Sequence, residues 1–356
     1  MIERIDWIAD AFCSLRGIGW TWQTSGIPPP PKWVDAQLDG NFDAIEKVEP
    51  LSVSKTGIRR LSDRQTLVKE CAKCVVIGYI ALDAIKSLGL HDEYMWGYID
   101  ALPPTFLPAV VRESFVLTRI YRLLISLSAI YTALWTIFKM GPVFFCGIIG
   151  PKYIGVRGEA WMNPANMFGS FSSVLDQGLA GWWGGWWHQT FRFVFEQPSD
   201  WLRTKLGIEK RSVSGKLISV FVAFFLSGCL HASGSYTQLG DTRPFHGPFR
   251  FFMLQAVGIT IQTLLAQVLK AIGVTDKLLK AVRRAGNFII VHVWMYHTAP
   301  LLCDDFARGG IWLFEPVPFS IFRGLGLGPK GTGLWCWHDF VRWRSGEHWW
   351  DTGIAF

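Results

Sequence analysis

Apolar positions along the chain gather in long runs separated by short polar and basic stretches, with little strand-like alternation. The runs at 217–235, 251–269 and 285–303 are each 19 residues long and contain no Asp, Glu, Lys or Arg. That length is close to the roughly 20 residues a helix needs to cross about 30 Å of hydrocarbon. Residues 120–138 are apolar apart from Arg122, and 141–150 form a short apolar run after Lys139. Residues 75–82 are apolar within a helix that carries Lys73, Asp83 and Lys86, and Ser62 with Gln65 reads as the capping box that opens it. Residues 311–328 are broken by Pro316, Pro318 and several Gly, which predicts a re-entrant or kinked segment lined by protein. The pattern predicts an all-α, polytopic integral membrane protein with about six to eight membrane-embedded helices.

Three regions follow from the same pattern. Residues 1–70 are polar enough to be a cytosolic or interfacial segment, with an extended four-proline run from Pro28 to Pro31. Residues 71–330 form the membrane-embedded domain, and 331–356 an aromatic-rich tail. Residues 1–20 hold Glu3, Arg4, Asp6 and Asp10 and lack a continuous apolar stretch, so no signal peptide is read there. Insertion is expected to rest on an internal span.

Composition sharpens this picture. Half of the 356 residues are apolar and 18% are charged, against about 25% in a soluble domain. The 19 Trp, 26 Phe and 8 Tyr suit contact with lipid headgroups or a large apolar ligand. The net charge of +7 sits in loops between apolar runs, which excludes the single basic face of a nucleic-acid binder. Residues 203–216 and 270–284 each hold five Lys or Arg, whereas 236–250 hold two and 304–310 one. The positive-inside rule places the two rich loops on the cytosolic side. The seven Cys are scattered, and the one CxxC at Cys71 and Cys74 lacks further ligands, so neither a disulfide framework nor a metal site is expected.

Two stretches could carry chemistry. An ionisable side chain in an uncharged span is costly and a functional candidate. His231 is the clearest, and a regular helix puts Ser227, His231 and Ser235 on one face with Gly228 beside them. Those small residues could open a cavity toward the imidazole, or could simply pack helices together. The second stretch, GWWGGWWHQTFRFVF at 181–195, reads as an interfacial helix entered through a glycine turn, with His188 and Arg192 on a shared face. An aromatic belt at the headgroup level accounts for its Trp residues, less well for His188, Gln189 and Arg192. His292 and His297 lie on one span but not on one face, which suits a structural or pore-lining role.

At these residues the chain resembles the fungal wax-synthase-like membrane-bound O-acyltransferases. The stretch WWGGWWHQTFR is similar to their FWGRRWHQxxR signature, and LSGCLH to their SGxxH. Arg16–Trp20 (RGIGW), Trp161–Pro164 and Phe251–Gly258 (FFMLQAVG) resemble three further pieces, in the family's order. Gly185 and Trp186 stand where the signature has two Arg, and SGCLHASG lacks the acidic residue that often follows the His. Relatives often carry additional apolar sequence upstream.

The resemblance implies an enzyme that moves an acyl group from acetyl-CoA or another acyl-CoA to an apolar alcohol within the bilayer, at the endoplasmic reticulum. His231 would be the general base and His188 would hydrogen-bond the thioester carbonyl and its oxyanion. Gln189, Arg192, Trp187 and Ser227 would support substrate or acyl-CoA binding. No metal, cofactor or covalent acyl-enzyme is implied. Acetyl transfer to a terpenoid-type hydroxyl is favoured, with wax ester synthesis from a fatty alcohol as the alternative. Two readings of another class stay open. A membrane isoprenoid cyclase or isomerase would want buried carboxylates, for which Asp83 is the one candidate in the spans, and a transporter would want inverted repeats.

Overall fold

The computed structural model describes residues 2–24, 26–44, 52–61, 63–238, 240–337, 342–349 and 352–355. It is built almost wholly of helices. Those that position the site are α1 (Ile2–Cys13), α2 (Arg64–Gly89), α3 (Phe115–Pro142), α4 (Ser172–Gly181), α5 (Arg192–Lys205), α6 (Val213–Tyr236), α7 (Arg250–Ala271), α8 (Lys280–Thr298) and α9 (Pro300–Arg308). In the tail, Arg342–Arg344 and Gly353–Ala355 pair as two short antiparallel strands.

Three helices among the described residues are long and apolar enough to cross a membrane: Phe115–Ile149, Val213–Tyr236 and Phe245–Ala271. The first joins two runs that the sequence suggested were separate. Lys139 does not interrupt it, because the buried ammonium finds an acceptor within the protein, the carbonyl of Ala165. A π-helical turn at Val143–Ile149 then carries the helix past Pro142. The helix α2 keeps Lys73, Asp83 and Lys86 along its length and is absent from that set. Its cap is Asp63, whose carboxylate accepts from the Thr66 N–H at 2.6 Å. Ser62, expected to open the helix, lies outside the described residues.

Two other apolar stretches are less regular than the sequence suggests. The run 285–303 is carried by two successive helices, α8 ending at Thr298 and α9 starting at Pro300, and is not among the three long apolar helices. Proline has no N–H to continue the ladder and clashes with the preceding turn. Residues 311–328 form only the turns Ile311–Leu313 and Ile321–Gly324. Asp83 clasps this segment to α2, accepting from Ser320 Oγ and from the N–H groups of Ile321 (2.7 Å) and Phe322 (3.1 Å).

The hairpin of α6 and α7 sets the polarity of the domain. Gly228 lets α7 approach closely, since a Cβ there would meet the Phe249 ring at 2.9 Å. The His231 and Phe252 rings lie 4.2 Å apart near the closed end. The open ends, at Val213 and Ala271, therefore lie together, and so do the two basic stretches that flank them. Arg122, the one charge in its apolar run, forks onto Asp92 at 2.9 and 3.0 Å and onto the carbonyl of Ala101 at 2.9 Å.

Two tests follow from this arrangement. Asp92 is fully buried, so Asp92→Ala leaves Arg122 without its counter-charge. A loss of about 3–5 kcal/mol is expected, read as a lower melting temperature of the detergent-solubilised protein. An unchanged melting temperature would show the pair to be dispensable. With the basic ends in the cytosol, a glycosylation acceptor engineered at Asp276 should stay unmodified and one at Asp241 should be modified. The reverse labelling would refute the orientation.

Candidate active site

The stretch 182–195 is not one helix. A π-helical turn, Trp182–Trp186, follows α4, and Trp187 is extended (φ −61°, ψ 154°). The chain then runs irregularly to Phe191, and α5 begins at Arg192. His188 sits in this break, so it and Arg192 do not share a helical face as expected. Gly185 explains the departure from the two-arginine signature. A Cβ at that position would lie 2.5 Å from the Ser173 Cβ, so no side chain fits where relatives carry Arg.

Two amides from α7 hold the turn. Gln262 accepts from the Leu179 N–H at 2.8 Å and donates to Asn287 Oδ1 at 3.1 Å. Gln255, fully buried, accepts from Trp183 Nε1 at 3.4 Å and donates to Thr298 Oγ1 at 3.1 Å. The Trp183 ring consequently packs on Phe224, Phe251 and Phe252, with centroids 5.6, 6.1 and 5.8 Å away. Because Phe252 also meets the His231 ring, the Trp turn reaches the depth of His231.

The result is a cavity of about 490 Å³ whose lining includes His188 and His231 together with Trp182, Trp183, Trp187 and Phe252. One wall is α3, whose lining residues run from Val116 to Leu134. That is about 27 Å of helix at 1.5 Å per residue. The opposite wall includes His292, Tyr296 and His297 of α8. No Asp, Glu, Lys or Arg is among the lining residues.

The two central imidazoles differ in their surroundings. His231 Nδ1 lies 2.8 Å from the carbonyl oxygen of Ser227. A carbonyl can only accept, so Nδ1 carries the proton and the neutral ring keeps its lone pair on Nε2. His188 is ringed by Phe138, Phe168, Trp187 and Phe191, with centroids 5.6–6.2 Å away. Its Nδ1 is buried without a protein partner. Burial, and secondarily the neighbouring His231, lowers its pKa to about 4, so the ring is neutral near pH 7.

The other expected site residues divide. Trp187 lines the cavity. Ser227 is buried and contributes its carbonyl. Gln189 is buried behind the wall and donates to the Trp187 carbonyl at 2.6 Å. Arg192 donates to Glu196 (2.8 Å), Gln189 Oε1 (2.9 Å) and the Gly184 carbonyl (3.1 Å). Gln189 and Arg192 therefore brace the break that holds His188. Sequence reasoning gave no site role to Gln255 or Gln262. Their signal was an uncharged span holding three Gln.

Comparison with known proteins agrees with the motifs. Residues 164–254, which hold both histidines, match the membrane bound O-acyl transferase family. The acetyltransferase aurG of Calcarisporium arbuscula is 26% identical over 197 residues, 54% of this chain and 42% of that protein. The acetyltransferase eriL of Hericium erinaceus is 27% identical over 161 residues, 45% of this chain and 40% of that protein. The O-mevalon transferase yanI of Aspergillus niger is 24% identical over 312 residues, 83% of this chain and 60% of that protein. The chain thus aligns with less than two thirds of the length of each of these relatives. No solved structure matches.

Restoring the signature arginine tests the packing at Gly185. Gly185→Arg should destabilise the protein by about 1–3 kcal/mol through overpacking against Ser173, measured by thermal unfolding. A variant as stable as the wild type would show that the turn has room for a side chain.

Proposed function

We propose that this relative of the membrane bound O-acyl transferases moves an acetyl group from acetyl-CoA to a hydroxyl of a bulky, apolar, terpenoid-type alcohol. The observation that carries the reading is that His188 and His231, from motifs far apart in sequence, face one apolar cavity. A volume of about 490 Å³ falls within the range of sites that enclose a drug-sized ligand. The names of the curated relatives favour acetyl transfer.

In this mechanism His231 Nε2 takes the hydroxyl proton as the alcohol oxygen attacks the thioester carbonyl carbon. The neutral His188 donates an N–H hydrogen bond to the carbonyl oxygen as it becomes an oxyanion. The tetrahedral species collapses with cleavage of the C–S bond, and the proton on His231 passes to the departing thiolate. The Ser227 carbonyl holds the tautomer that this step requires. Trp187 and the neighbouring indoles exclude water and enclose the acceptor. Gln189 and Arg192 act through the turn, keeping His188 in place.

Acyl-CoA is water-soluble and would arrive from the cytosolic side, where the basic loops lie, while the alcohol enters from the bilayer. The endoplasmic reticulum membrane is the expected location. The remaining embedded helices of the six to eight would come from α2, α8 and the segments around them. Wax ester synthesis is the second reading, because the α3 wall is long enough to accommodate an extended chain. A cyclase would need an acid in the cavity. Asp83, its one candidate, is engaged with Ser320 Oγ and the N–H groups of Ile321 and Phe322 and does not line the cavity.

Membranes containing the protein should consume labelled acetyl-CoA when supplied with an apolar alcohol. His231→Ala should insert normally and lower turnover by at least ~10²-fold. Turnover like that of the wild type would remove His231 from the chemistry.

A further inference from the structure

Arg192 was the expected cationic contact for the acyl donor, but its charge is paired with Glu196, and its Nη1 is taken by Gln189 and the Gly184 carbonyl. A different arginine in the same neighbourhood has no such partners. Arg16, the first residue of RGIGW, is partly buried against the 165–168 segment. Its Nη1 lies 2.6 Å from Met167 Sδ, its one polar partner among the described residues. A thioether is a weak acceptor and leaves the guanidinium's charge unanswered.

The position of Arg16 is firmly set. Its carbonyl accepts from the Thr24 N–H at 2.9 Å, and the turn that follows lays Trp22 on Phe193 of α5 at 4.5 Å. Met167, which it touches, accepts through its carbonyl from the Gln189 N–H at 3.2 Å. Arg16 therefore stands one side chain away from the His188–Gln189 step. On the same segment, Lys139 donates to the Ala165 carbonyl and lies over the Trp135 ring at 5.5 Å, again without a carboxylate.

A buried cation with no counter-charge is costly, and proteins tolerate one where a ligand supplies the missing anion. Burial pulls the Arg16 guanidinium down to about 10, and no neighbouring charge offsets this. A guanidinium without a carboxylate partner, with an ammonium anchored on the same 165–168 segment, matches the chemistry of a phosphate.

We propose that Arg16, backed by Lys139, binds a phosphate of the acyl donor, a coenzyme A thioester that lies over the 165–168 segment and delivers its carbonyl to His188. This inference rests on the acyl-transfer reading and adds the residue that anchors the donor. It also assigns a role to the RGIGW residues. Gly17 and Trp22 form the turn that presents the guanidinium, and the nearby α5 leads back to the basic loop.

The test uses the full chain in detergent, titrated with coenzyme A by calorimetry. Arg16→Gln should weaken coenzyme A binding ~10-fold or more, the loss expected for a charge-assisted contact. Arg16→Lys should fall between the two. Affinity for coenzyme A within twofold of the wild type in Arg16→Gln overturns the assignment and leaves the acyl-transfer reading intact. Failure of the wild type to bind coenzyme A overturns both. A lipid phosphate could meet the same cation. If Arg16→Gln loses co-purified anionic phospholipid but keeps its affinity for coenzyme A, a headgroup occupies the site and the donor assignment falls. Should Arg16→Gln not fold, phenylglyoxal labelling of the wild type decides. Coenzyme A should protect Arg16 from modification, and equal labelling with and without it overturns the proposal.

Discussion

Everything at the centre of this molecule depends on two glutamine side chains, Gln255 and Gln262, that tie an irregular backbone to regular helices. Irregular backbone inside an apolar domain is tolerated only where its polar groups find partners within the protein. Gln262 gives the end of α4 that partner, and Gln255 takes the indole N–H of Trp183. With those tethers in place the Trp turn can run deep without water, carrying His188 to the cavity that His231 lines from another helix. Hydrogen bonds among buried amides are worth most in such a low-dielectric setting and are correspondingly costly to break.

The charges within the apolar runs divide into two kinds. Arg122 and Asp83 are satisfied by a carboxylate and by backbone donors respectively, and both bind distant segments to α2 and α3. They stabilise the architecture while standing apart from the cavity. The histidines are different. His188 is surrounded by rings and His231 lies against Phe252, and both keep nitrogen atoms free of side-chain partners, the condition in which an imidazole can exchange a proton.

Much of this was legible in the sequence because hydrophobic run length and a misplaced polar residue are local signals. The uncharged runs at 217–235 and 251–269 became α6 and α7, and His231 stood out within the first. What the sequence hid was the interruption of regular structure. The 181–195 stretch has helical composition, yet its glycines permit an approach to Ser173 that no spacing rule reveals. The 285–303 run had length and apolarity enough for a span, but Pro300 divided it. Lys139 looked like a boundary because its partner, the Ala165 carbonyl, comes from a distant segment. The histidines of α8 were seen as lining something, but only the fold shows that it is the same cavity.

The bond from His231 Nδ1 goes to main chain rather than to another side chain. In many enzymes a carboxylate orients the imidazole, and losing that acid damages the base. Here the orienting group is the peptide carbonyl one helical turn earlier, which every amino acid possesses. The tautomer is consequently written into the helix itself and does not depend on which side chain stands at position 227. A substitution at the buried position 227 therefore acts through packing, while the proton on His231 Nδ1 stays where the main chain holds it.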